Sequence, residues 1–275
     1  MIRLYFIVVA LFFQVSAFAQ SFDHSHEDFT NILKRHVIVY DHNLKSAVNY
    51  KALDQQREKL DDYLSSLSQI TQTQYETWTE DKQLAFLINA YNGFTLQLIV
   101  NNYDQFKSGD ADSIRDLGGL FSSPWEKDFF SLLGQKRTLD WLEHEKIRVD
   151  FDEPRIHAAL VCAAVSCPKL REEAFIGNRL NKQLEDQMVT FLSDDDKNGL
   201  DDNGLYLSKI FDWHAEDFTG RLTVFRIRTE WLFGDDFFPD ISLYTHLNGF
   251  IWRWFFRIWL AVAYFSAAQH YWLLR

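Results

Sequence analysis

Apolar residues recur at helical spacing through most of the chain, and that rhythm predicts a mostly helical protein. Across Ser21 to His36, Phe29, Ile32 and Leu33 fall on one stripe. Across Leu53 to Ile70, Leu53, Leu60, Tyr63, Leu64 and Leu67 do the same. Thr79 is placed to cap the longest helix, with Glu80 and Asp81 in its first turn where the helix dipole favours acidic groups. Leu84 to Tyr103 is apolar nearly all round, which predicts a central, buried helix. Asp140 is placed to cap a helix over Trp141 to Ile147, and Asn178 to begin an amphipathic helix over Leu180 to Leu192.

Strand signals are few and short. Ala47 to Tyr50 suits a short strand. Phe129 to Leu139 reads as two apolar runs around Gly134-Gln135, the pattern of a hairpin, and Leu205 to Phe211 reads as a strand. Ile156 to Val165 is a compact apolar run that fits either type. Gly118-Gly119 and Ser122-Ser123-Pro124 punctuate an irregular stretch from Asp110 to Trp125. Only 11 Gly and 4 Pro interrupt a chain that is 47% hydrophobic and 16% aromatic. The expected fold is α+β and predominantly helical, a single domain with a few short strands and a hairpin.

The two ends depart from this pattern. Met1-Ile2-Arg3 gives a short positive start, Leu4 to Val15 is almost wholly apolar, and Ala17 and Ala19 form a small-x-small cleavage site. Residues 1–19 therefore read as a bacterial secretory signal peptide cleaved near Ala19, and the mature chain is expected in the periplasm or outside the cell. At the other end, aromatic residues with Arg253 and Arg257 crowd residues 250–275. Membrane-surface contact, docking on the core and a slipped reading frame near Arg221 all remain open for this tail. The net charge of −11 argues against nucleic acid as a partner, because phosphate contacts need clustered Lys and Arg.

Four segments together resemble one bacterial family, the domain of unknown function 547. They are Leu87-Ile88-Asn89-Ala90-Tyr91-Asn92, Ser122-Ser123-Pro124-Trp125, the run Arg155 to Pro168 that contains His157, Cys162, Ser166 and Cys167, and Leu207 to Phe211 followed by Trp213 and Asp217-Phe218. The resemblance implies a division into residues 20–77, an N-terminal helical region; 78–218, the family-like core; and 219–275, an atypical tail. It implies a fold more than a reaction. His214 stands where the family usually carries an aromatic residue, and it is not carried over as functional.

Three readings compete for the cysteines: a reactive thiol, a disulfide and two inert buried thiols. Pro168 favours the first position of a helical turn, expected over Pro168 to Glu173, and free N–H groups there would lower the pKa of the Cys167 thiol. Cys167 as nucleophile, His157 as base, and Asn89, Asn92 or Asp217 as orienting or oxyanion groups would make a Cys-dependent hydrolase or acyl transferase. That dyad requires the chain to bend near Ala164-Val165-Ser166. In an oxidising compartment an even pair commonly bridges, so a Cys162–Cys167 disulfide in a non-enzymatic binding or interaction module is the alternative. It needs a helix break before Cys167 to bring the two Cα atoms near 6 Å.

Metal signals are weaker. Asp194, Asp196 and Asn198 alternate before Gly199 like the start of a calcium loop, but Leu205 falls where a bidentate Glu belongs. A plain acidic turn is the favoured reading there, with weak calcium binding the alternative, and no other cofactor is expected. His24 and His26 lack a further ligand at zinc-site spacing.

Overall fold

The structure is a computed structural model, described here for residues 22–119, 122–163, 167–201 and 204–219. The expected leader (1–19) and nearly all of the expected tail (219–275) lie outside the described residues, as does the bend expected at Ala164-Val165-Ser166.

Helices dominate, as the periodicity predicts. The order is α1 (Glu27–His36), β1 (Val37–Tyr40), β2 (Lys45–Val48), α2 (Tyr50–Gln55), α3 (Arg57–Ser68), α4 (Gln72–Glu76), α5 (Glu80–Asn101) and α6 (Tyr103–Ser108). After two short 3-10 turns come β3 (Phe130–Leu132) and β4 (Gln135–Arg137), then a π-helix over Trp141–Ile147 that runs into α7 (Arg148–Asp150). The chain continues through α8 (Ile156–Ala159), α9 (Leu180–Ser193), β5 (Gly199–Asp201), β6 (Gly204–Tyr206), α10 (Ile210–Trp213) and α11 (Ala215–Thr219). Three antiparallel two-stranded pairs, β1–β2, β3–β4 and β5–β6, account for the strands among the described residues.

The 22-residue α5 is the axis of the fold. It is apolar on every side, and its residues from Leu84 to Leu96 are all buried. Burying it takes neighbours on all sides: Phe29 and Leu33 of α1, Leu60 and Leu64 of α3, Phe130 and Leu132 of β3, Leu142 and Ile147 of the π-helix, and Leu180 and Leu184 of α9 share its core. Phe94 stacks on Phe130 with ring centroids 3.9 Å apart. The N-terminal helices thus complete the same core as the family-like segment.

Several local expectations are corrected. The predicted helix over 53–70 is two, because the chain turns at Gln56. Neither Thr79 nor Asp140 makes a side-chain cap, and α5 is instead tied to α4 by Gln83 Nε2, which donates to the Tyr75 carbonyl (3.0 Å). Asn178 lies inside a 3-10 turn before α9, not at its cap. Leu205 to Phe211 is strand only through Tyr206; Ile210 and Phe211 open α10, where they pack on Met188 and Phe191 of α9. The hairpin at Phe129 to Leu139 forms as expected, with Leu133 and Gly134 both at positive φ in its turn.

Candidate functional site

The ambiguous apolar run resolves into one helical turn. α8 ends at Ala159, where the chain becomes extended, and Ala163 adopts a left-handed φ of 59°. The two Cα atoms of Cys162 and Cys167 come within 6.2 Å and the sulfurs are joined in a disulfide. Cys167 is buried and has no helix behind it: residues 168–173 form no helical turn, contrary to expectation. The N–H groups that would have stabilised a thiolate are therefore not gathered at the sulfur.

Both ends of the stapled loop are anchored. Asn92, on buried α5, donates from Nδ2 to the Ala159 carbonyl (2.9 Å) and accepts at Oδ1 from the Val161 N–H (2.9 Å). Asn89 makes the same double bond to Phe175, 2.7 Å to its carbonyl and 2.9 Å from its N–H. Beyond the loop, Lys169 Nζ donates to Asn43 (2.7 Å to Oδ1) and the Leu170 N–H donates to Ser46 Oγ (2.9 Å). The two asparagines therefore spend their amides satisfying backbone groups that would otherwise be buried unpaired.

His157 sits elsewhere in this arrangement. Its side chain is 2% exposed, and its Nε2 lies 2.7 Å from Asp217 Oδ2. Arg148 holds that carboxylate from the other side, with Nε 2.6 Å from Oδ2 and a second nitrogen 3.0 Å from Oδ1. The His214 ring stacks on His157 at 3.8 Å, with the planes 20° apart. Glu143 completes the group: Glu143, His157 and His214 each offer a ligand atom, all within 4.8 Å of one another. The Tyr91 hydroxyl interacts with Glu143 and with Trp125, and Phe218 lies against His157 at 5.6 Å.

The electrostatics follow from burial. It pushes the His157 imidazole below its ordinary value, although hydrogen bonding to Asp217 opposes it. His214 is driven down to about 3, first by burial and then by the neighbouring His157 and Arg148. Burial works against the Asp217 charge, but Arg148 and His157 outweigh it and hold its carboxyl below the usual range. Burial, reinforced by the Glu143 charge, lifts the Tyr91 hydroxyl well above its usual value. At neutral pH the His157 and His214 imidazoles are neutral beside the Asp217 carboxylate and the Arg148 guanidinium. A cleft of about 180 Å³, lined in part by Arg148, Pro154, Ile156 and Asp217, opens beside it.

The acidic turn is brought together but faces cations. Asp196 pairs with Lys45 at 2.5 Å, Asp194 pairs with Lys197, and the Asn198 amide oxygen accepts from the Ser208 N–H at 3.0 Å. These oxygens are engaged by protein donors. Near the start of the described residues, His26 Nδ1 lies 2.8 Å from the Tyr63 hydroxyl and the His24 ring packs edge-on against Trp78.

Sequence reasoning missed Glu143, Arg148 and His214. The first two lie on a charged helix that looks like a solvated face, and nothing in their spacing points to His157. The signal available was convergence. Tyr91, Trp125, His157 and Asp217 come one each from the four segments that carry the resemblance, and all four meet at this centre.

No curated protein and no solved structure matches the chain. Residues 75–192, from the end of α4 to α9, match the family described as "Protein of unknown function, DUF547". They include Tyr91, Trp125, Glu143 and His157, together with Asn89, Asn92 and both cysteines, and stop short of His214 and Asp217. The chain carries, over residues 75–192, a domain of the DUF547 family.

Proposed function

We propose that the chain is an exported, non-enzymatic binding or interaction module, in which Cys162–Cys167 staples the loop after α8. One observation carries this reading. Both cysteine sulfurs lie in one disulfide, so neither is available as a nucleophile. The leader-like residues 1–19 support it, since export brings the pair into an oxidising compartment where such a bond persists. The anchoring by Asn89 and Asn92 supports it too, because amides that already serve the backbone are not free to orient an imidazole or bind an oxyanion.

The competing reading is a Cys-dependent hydrolase or acyl transferase with Cys167 as nucleophile and His157 as base. It requires a reduced Cys167 and loops released from α5. Alkylation of the protein isolated without reductant, followed by intact mass measurement, separates the two. The binding-module reading predicts a chain beginning at Gln20, with both cysteines refractory to the reagent. A single fast-reacting thiol at Cys167 contradicts it.

A further inference from the structure

We propose that Glu143, His157 and His214 together bind one divalent transition-metal ion of the zinc class. This goes beyond the binding-module reading by naming a ligand, and it depends on neither the export signal nor the disulfide. Two imidazoles and a carboxylate are a donor set suited to zinc, and three protein ligands with a fourth position left open are the form of an accessible zinc site. Their ligand atoms already lie within 4.8 Å of one another. They come from three separate elements, the π-helix, α8 and the α10–α11 junction, so tertiary packing alone gathers them.

Three further observations point to an ion. The His214 Nδ1 atom is buried with no hydrogen-bond partner, a cost that coordination would remove. Asp217 accepts from His157 Nε2, which fixes the ring and leaves the lone pair on Nδ1. A carboxylate behind a ligand histidine is the usual outer-shell device of zinc sites. Tyr91, itself touching Trp125, plays the same part for Glu143.

The charges facing the centre are Glu143, Asp217 and Arg148, and Arg148 is already paired with Asp217 and Glu216. One movement is required. The imidazoles are stacked face to face, so the His214 ring must turn about its Cβ–Cγ bond to aim at an ion shared with His157. Its orphaned Nδ1 has no hydrogen bond to lose in turning.

The test is a zinc titration of the mature full-length protein after chelator treatment, read by calorimetry and by metal content. The expected result is one zinc per chain. His214→Phe and Glu143→Gln should each weaken it at least tenfold, and Asp217→Asn by about 10–100-fold. His214→Phe keeps an aromatic ring on His157, and its melting curve in chelator should match the wild type. The double variant His24→Gln/His26→Gln should still bind one zinc. Absence of saturable binding, or binding that survives both His214→Phe and Glu143→Gln, overturns the proposal. Should a variant fail to fold, imidazole nitrogen resonances of the wild type decide: zinc must shift those of His157 and His214, and unshifted signals overturn it.

Discussion

At the scale of the residue, single polar side chains do much of the structural work. Asn92 reaches from the middle of α5 to close the end of α8, satisfying a carbonyl and an N–H at 2.9 Å each. Truncating it strands both groups, so Asn92→Ala should cost about 1–3 kcal/mol. Denaturant titration checks this, and a loss below measurement error would show that water replaces the amide. His26 is buried against Tyr63, and burial lowers its pKa to about 4. Its folded value lies below the ordinary 6.5, so the unfolded chain binds more protons between those limits. Its contribution is therefore complete above pH 6.5 and is lost as the pH falls toward 4, by up to about 3 kcal/mol. Stability curves at pH 7 and pH 4.5 should show this loss for the wild type and a flatter response for His26→Gln.

At the scale of the element, what was legible depended on length. The long buried helix was plain from composition, because a run apolar on every side has to be surrounded. The hairpin at residues 130–137 was plain from Gly134, whose φ of 82° the turn requires. Shorter pieces were not. Ile210 and Phe211 read as strand because a two-residue apolar pair fits either period, and only packing on α9 decides for helix. A helix over Trp141–Ile147 was expected, but not its π form, which places Glu143 beside the histidines. The stapled loop is where element and chemistry meet. Closing so small a loop restrains the unfolded chain by about 2 kcal/mol, so the double variant Cys162→Ser/Cys167→Ser should melt several degrees lower. Differential scanning calorimetry reads this, and an unchanged melting temperature would mean that Asn92 and the Lys169–Asn43 contact hold the loop unaided.

At the scale of the whole molecule, the candidate site was half legible. His157 was picked out as a base for Cys167, and Asp217 was named among the groups able to orient it; the structure places His157 and Asp217 2.7 Å apart. His214 was set aside as a departure from the family, and Glu143 drew no notice, because both join the site only through folding. Asn89 and Asn92, also named among the site residues, hold backbone groups of Phe175 and of the loop after α8. Sequence spacing reports contacts along one helix or strand; it is silent about residues 71 positions apart that meet through three elements, as Glu143 and His214 do. Among the described residues no helix is long and apolar enough to cross a membrane, and the aromatic stretch at 250–275 lies outside them.

The central claim is that the chemistry of this fold lies at an imidazole–carboxylate centre and not at a thiol. X-ray absorption at the zinc edge, on the protein loaded with one equivalent of zinc, tests it most directly. The account predicts a shell of nitrogen and oxygen only, with imidazole scattering and distances of about 2.0–2.2 Å. A sulfur neighbour at about 2.3 Å, or zinc that does not stay with the protein, would contradict it.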